Sequence, residues 1–386
     1  MKPKLHILPT IILSQFACTS LWFAGNAIVD DLTSKTGLGT EIIGYVLSSV
    51  QLGFIVGTLV FALLMIADRF SPSKVFLICA FLGALCNLVL LYEEIGTTLL
   101  LIVRFGTGFF LAGIYPVGMK IAADYYEKGL GKALGYLVGA LVLGTAFPYL
   151  ISGLDFKDYT IVVFTTSAFA ASGGLAMWLL VPNGPFRKAS SQLQLKTGFT
   201  LFKDLHFKKA AFGYFGHMWE LYAFWAITPL AIKGYNTLYG TSLSVPLWTC
   251  GIISIGALSC VLGGYTSLRI GSKKVALFAL TVSGLFCVLS PLFFELPSFL
   301  FLIIWCLWGM VVIADSPQFS TMVAATAPTA IKGTALTLVN CIGFAISILS
   351  IQLLLYLLDY IDIRYIFLFL ALGPIGSLYY FLKRSS

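Results

Sequence analysis

Apolar residues run through this 386-residue chain in long stretches separated by short polar loops. Twelve stretches can be cut, at approximately 6–27, 42–66, 74–92, 97–122, 132–153, 160–181, 210–232, 246–266, 273–291, 298–324, 334–357 and 364–382. A membrane-crossing helix needs about 20 mostly apolar residues, whereas a soluble surface helix keeps a polar face. The pattern predicts an all-α integral membrane chain with twelve transmembrane helices. The longest polar stretch, 182–209, opens on Pro182, Asn183, Gly184 and Pro185 and carries six basic residues against one acid, Asp204. It divides the chain into an N-terminal six-helix bundle (1–181), a linker (182–209) and a C-terminal six-helix bundle (210–386). Within the linker, Phe199, Leu201, Phe202 and Leu205 suit the lipid-facing side of a surface helix; a plain solvated linker is the alternative.

The second six stretches repeat the first at a nearly constant register. Gly108 and Pro116 in the fourth match Gly309 and Pro317 in the tenth at an offset of 201 residues. Gly131, Ala133 and Leu134 match Gly333, Ala335 and Leu336 at 202, and Arg69 matches Arg269 at 200. Apolar segments match by chance at single positions, but three sites holding nearly the same offset indicate duplication. Two such halves facing each other are the usual plan of a secondary transporter.

Composition agrees. The chain is 59% hydrophobic and 10% charged, with a net charge of +8. With the N-terminus placed in the cytoplasm and loops alternating, nineteen of the 24 basic residues fall on the cytoplasmic side. Lys35, Lys157, Lys233 and Arg364 fall outside, and Arg104 lies within a span. The positive-inside rule therefore sets both termini in the cytoplasm, in what is expected to be a bacterial inner membrane. The basic excess then faces the lipid leaflet, so no nucleic-acid partner is called for. All eight cysteines fall within predicted spans, where a free thiol behaves as a small hydrophobe; neither disulfides nor a metal cluster is expected. The first apolar stretch is long, with polar Asn26 at its end and Asp30 and Asp31 just beyond, unlike a cleaved signal.

Two loops carry related motifs. After the second span the chain reads Ala67-Asp68-Arg69-Phe70-Ser71-Pro72-Ser73-Lys74, and after the eighth Leu268-Arg269-Ile270-Gly271-Ser272-Lys273-Lys274. Both resemble the Gly-x-x-x-Asp-Arg-x-Gly-Arg-Lys pattern of the major facilitator superfamily. The first copy keeps the Asp-Arg pair without the glycine; the second has Leu268 in place of the acid. Arg104-Phe105-Gly106-Thr107-Gly108 resembles the Arg-x-x-x-Gly motif of that family's fourth helix. Gly135, Gly139, Gly144 and Pro148 only loosely resemble the glycine-proline motif of its antiporters. The resemblance implies two pseudo-symmetric six-helix bundles, a central cavity lined by spans one, four, seven and ten, and alternating access by rocking. It names no substrate. Asp68, Arg69 and Arg269 would gate the inside face, since a carboxylate there can cap helix ends and pair with cations.

Ionisable residues at bilayer depth normally face a cavity or a partner. Here they are Arg104 in span four, His217 and Glu220 in span seven and Asp315 in span ten; Lys120 sits near a membrane surface, where it can snorkel. Helical spacing groups Arg104, Gly108, Ala112 and Tyr115, then His217, Glu220, Phe224 and Thr228, then Trp308, Asp315 and Gln318, and in span one Thr19, Trp22 and Asn26. Arg104 can fork onto an anion or pair structurally. Glu220, Asp315 and His217 are candidates for proton coupling. Arg104, Tyr115, Trp22, Asn26, Trp308, Asp315, Gln318 and Asn340 are candidates for substrate binding, although His217 and the aromatic residues are more readily explained by packing. Positive charge in one half and negative in the other suits a zwitterion, or an organic anion carried with protons.

The leading expectation is a monomeric secondary active transporter of a small polar metabolite or ion, coupled to protons and needing no cofactor. A uniporter, an exchanger or a drug-type exporter shares the architecture. A non-transporting receptor or scaffold would need a docking domain, and an enzyme would need a motif such as a Walker loop or His-Glu-x-x-His. The sequence offers neither.

Overall fold

The computed structural model describes residues 4–37, 41–126, 130–154, 158–187 and 193–382. Lys2, Lys128, Lys157, Lys188, Lys383 and Arg384, which entered the charge assignment, lie outside the described residues, as do the side chains of Lys35 and Lys132. Among the described residues every regular element is helical. The main helices are α1 (Ile7–Thr19), α2 (Glu41–Leu63), α3 (Pro72–Leu91), α4 (Thr97–Tyr125), α5 (Leu130–Gly153), α6 (Thr160–Leu180), α7 (Leu205–Tyr239), α8 (Val245–Ile270), α9 (Ser272–Phe294), α10 (Ser298–Thr326), α11 (Lys332–Leu357) and α12 (Ile363–Phe381). Ten of them are long and apolar enough to cross a membrane. The other two are α1, which is cut short, and α7, whose polar side chains lower its hydropathy.

The chain forms two compact units, Met1–Gln192 and Leu193–Ser386. In the first, α2 packs along α4, α1 against α5 and α6, and α3 against α4 and α6. In the second, α8 packs along α10, α7 against α11 and α12, and α9 against α10. The α2–α4 crossing is so close that a Cβ on Gly108 would collide with the carbonyl oxygen of Val50. The α8–α10 crossing repeats this: a Cβ on Gly309 would collide with the carbonyl of Ile252. Small residues permit such backbone approach between helices in lipid, where packing rather than the hydrophobic effect drives association.

Several of the twelve stretches are not the continuous α-helices that the spacing implies. Span twelve passes through a 3-10 stretch at Phe367–Ala371, span two ends at Leu63, and spans one, four and ten break within the membrane-length run. In span one the helix stops at Thr19 and resumes as a short turn, Ala24–Ala27. The hydroxyls of Thr19 and Ser20 donate back to the carbonyls of Gln15 (2.8 Å) and Ala17 (2.7 Å), a habit that bends helices. Thr19, Trp22 and Asn26 therefore do not share one helical face. Span four breaks between Leu111 and Tyr115, and span ten at Asp315 between Ala314 and Ser316. Pro116 and Pro317 follow these breaks; each lacks an N–H, and its ring crowds the carbonyl four residues back. The faces drawn through Arg104 and Tyr115, and through Trp308 and Gln318, are likewise interrupted.

The linker is shorter than 182–209. Asp204 caps α7 by accepting from Phe207 N (2.7 Å), so Leu205–Lys209 are already helix. The supposed lipid-facing stripe also divides: Phe199 is exposed, but the Phe202 ring packs on Phe207 (5.2 Å) and Phe215 (6.3 Å).

Candidate functional site

In the first unit the break in α1 and the cation in α4 explain each other. A helix end leaves carbonyls without partners. Arg104, fully buried, donates from Nη2 to the carbonyls of Leu21 (3.1 Å) and Trp22 (2.7 Å). Its Nη1 donates to Asn87 Oδ1 (3.3 Å), and Asn87 Nδ2 donates to the hydroxyls of Thr166 and Ser167, each at 3.0 Å. One network thus joins α1, α3, α4 and α6. A Cβ on Gly25 would stand 3.1 Å from Arg104 Nε, so glycine leaves room for the guanidinium. Asn26 donates to the carbonyl of Ile43 (3.3 Å), and the buried Trp22 ring lies 5.0 Å from that of Phe54. Tyr115, half-buried, begins the second part of α4.

Asn87 was not singled out by the sequence reading, and neither were Gln15 and Gln51. Both glutamines are fully buried, and among the described residues neither amide oxygen nor amide nitrogen has a hydrogen-bond partner. A polar residue inside an apolar span was the signal for all three.

Asp68 lies in the helical turn Ile66–Arg69 after α2, and Lys120 Nζ approaches its Oδ1 to 2.8 Å, an ion pair in place of the expected snorkelling. Arg187 donates to the backbone carbonyls of Asp68 (2.8 Å) and Phe70 (2.7 Å). Tyr125 OH donates to Pro182 O (2.6 Å), and Phe186 N to Asp124 O (3.0 Å). The segment after α6 is thereby tied to the end of α4. Asp124, buried in this knot, was also missed. Arg69 is exposed, as is Arg269 in the last turn of α8.

The second unit gathers the acids. Glu220 Oε1 accepts from Trp308 Nε1 (2.9 Å), from the thiol of Cys287 (3.3 Å) and, in a very short contact, from the Ser283 hydroxyl. Trp308 Nε1 also reaches Ser283 Oγ (3.2 Å). Behind it, the rings of Phe224, Trp305 and Trp308 pack with centroids 4.8 to 5.5 Å apart, a dry wall. One turn before Glu220, His217 Nδ1 lies 2.8 Å from Asp315 Oδ1, in a geometry short of an aligned N–H···O bond. Asp315 occupies the break in α10. Gln318, just beyond, is buried. Tyr214 OH donates to Asn340 on α11, which brings Asn340 near His217, whose ring centroid is 5.9 Å from that of Tyr214.

Of the sequence candidates, the structure thus brings together Glu220 with Trp308, His217 with Asp315, and Arg104 with the backbone at Trp22. Ser283 and Cys287 are the unanticipated partners. They lie four residues apart on α9, a spacing that puts them on one helical face. Among the described residues no group of three or more His, Cys, Asp or Glu is placed to hold a metal ion.

Comparison with curated proteins gives no match. Solved structures share the fold. A bacterial homologue of the human lysosomal transporter Spinster, inward-facing and occupied, is 14% identical with a TM-score of 0.73, covering 98% of this chain and 96% of that one. A mutant of the nucleoside transporter NupG is 16% identical with a TM-score of 0.72, covering 98% and 100%. The human organic anion transporter MFSD10 (TETRAN) is 12% identical with a TM-score of 0.71, again covering 98% and 100%. These neighbours supply the twelve-helix, two-domain plan that the helix order follows. The Major Facilitator Superfamily profile matches residues 10–345. With the family profile matched over most of its length and apolar helices throughout, this chain is an integral membrane transporter, not an enzyme, and belongs to the Major Facilitator Superfamily.

Proposed function

We propose that the chain is a proton-coupled secondary active transporter of a small polar metabolite or ion, working by alternating access, with Glu220 as its coupling carboxylate. The observation that carries this reading is the setting of Glu220. It is 1% exposed, no cation pairs with it among the described residues, and neutral or weakly polar donors surround it. Burying an unpaired charge is expensive, so binding and releasing a proton is the natural way for such a group to alternate between dry and wet states. His217 and Asp315 form a second titratable pair within the same unit.

Substrate contact in the first unit is best supported at Gln15 and Gln51. Unpartnered amides offer both donors and acceptors to a polar ligand. We read Arg104 as the anchor of the broken α1 rather than as an anion ligand, because both terminal nitrogens are engaged within the unit. The neighbours include a nucleoside transporter and an organic anion transporter, and both kinds of cargo are polar. Asp68, Arg69 and Arg269 keep their proposed gating role from their positions at helix ends. The loop charges favour cytoplasmic termini in a bacterial inner membrane.

The test is uptake and counterflow by Glu220→Gln in proteoliposomes, with a substrate found by thermal-shift screening. Loss of uphill uptake with retained counterflow supports coupling through Glu220. Uphill uptake that persists in the variant, or that ignores collapse of the pH gradient in the wild type, overturns it.

A further inference from the structure

The two oxygens of the Glu220 carboxyl are not equivalent. Oε1 accepts from Ser283, Cys287 and Trp308, while no donor among the described residues reaches Oε2, and Oε2 is not one of the sealed polar atoms. A neutral carboxyl has one oxygen that accepts and one that bears hydrogen. We propose that Oε2 is the proton-bearing atom, and that Ser283 and Trp308 are positioning residues that hold Oε1 as the acceptor and set the pH at which the proton leaves. This rests on the reading of Glu220 as the proton site.

The balance is simple. Loading in the wet state breaks an O–H bond of hydronium, which leaves as water, and forms the O–H bond at Oε2. Oε1 stays as the carbonyl oxygen, still accepting its three bonds, and release hands the proton back to water. Release returns the negative charge to a carboxylate whose Oε1 those donors already stabilise. Because donors to a charged acceptor are worth roughly twice those to a neutral one, they favour release. Trp308 Nε1 is shared between Glu220 Oε1 and Ser283 Oγ, so the indole also orients the hydroxyl. The other titratable groups about Glu220 are Asp315 on α10, Cys287 on α9 and His217 on α7 itself. Cys260 on α8 borders Asp315, Cys341 on α11 is buried, and Tyr380 on α12 stacks on Phe212, two turns before Glu220.

The probe is pH alone, read by infrared difference titration of the protonated-carboxyl band in the purified full-length protein. The band assigned to Glu220 is the one that Glu220→Gln removes. Ser283→Ala and Trp308→Phe are each expected to move its midpoint upward by about one pH unit or more, the size of a lost hydrogen bond to a charged group. Ser283→Thr, which keeps the hydroxyl, is expected to restore it. Thermal unfolding of each variant identifies any that fail to fold, and the remaining ones decide. An unmoved midpoint in both Ser283→Ala and Trp308→Phe overturns this inference while leaving Glu220 as the proton site. No band lost in Glu220→Gln overturns both.

Discussion

Gly108 presents its Cα to the carbonyl of Val50 with no room for a side chain between them. The equivalent contact, Gly309 to Ile252, recurs in the second unit. Each glycine sits where a single methyl must push two helix backbones apart.

These crossings should not tolerate an added methyl group. Gly108→Ala and Gly309→Ala should each destabilise by about 1–3 kcal/mol or more, the usual size of an overpacking strain. Gly264→Ala, where an added Cβ meets nothing within 4 Å, should be neutral. Thermal unfolding in one detergent compares the three, and equal midpoints would contradict the account.

Arg104→Lys should also destabilise. An ammonium cannot reproduce the fork that serves Leu21, Trp22 and Asn87 together. Each buried acceptor left alone costs about 1–3 kcal/mol. A clear fall in the unfolding midpoint is expected before any substrate is added. A variant with unchanged stability and lost ligand binding would restore the anion-ligand role.

The Lys120–Asp68 pair is partly exposed, at 18% and 11% of the side chains, so its net worth is limited by solvent screening. Asp68→Asn and Lys120→Met should each cost about 1 kcal/mol, and the double variant less than their sum. A double-mutant cycle on unfolding measures the difference. Strict additivity would remove the pair as a contributor.

Asp362, before α12, is held below the usual carboxylate range by a hydrogen bond from Arg364, whose Nε lies 2.9 Å from Oδ1. A carboxyl lowered on folding adds stability above its unfolded value, and that share is lost as pH falls through the folded value. The pair is substantially exposed, so the share should stay below about 1 kcal/mol. Acid titration of the unfolding midpoint, with Asp362→Asn as control, should show a slightly shallower loss in the variant.

Much of the architecture was legible because bilayer length and loop charge are strong constraints. Gly108 and Gly309, matched by register, proved to be the matched helix crossings. Pro116 and Pro317 carried a signal for two of the breaks, but the helical faces drawn from spacing ran straight through them. The break in α1 was not legible, since no proline marks it; hydroxyl back-bonding and a distant arginine make it. The partners of Glu220 escaped notice because Ser283 and Cys287 are ordinary residues in an apolar helix until a carboxyl is brought beside them. The duplication even hides the site. The register of Arg104 is taken in the second half by Trp305, which joins an aromatic wall where the first half has a cation.

The Arg104 network also has an order in time. Leu21, Trp22 and Asn87, which accept its hydrogen bonds, all precede it in the chain. A ribosome feeding this protein into a membrane delivers the acceptors first and the arginine afterwards. An unaccompanied arginine at mid-bilayer costs about 3 kcal/mol on insertion scales. Here it emerges to find its ligands waiting, and Thr166 and Ser167 arrive later to fasten Asn87. Reversing that order by circular permutation, with a new N-terminus before the fourth helix and the first three helices following the twelfth, would strand the same residue during biogenesis.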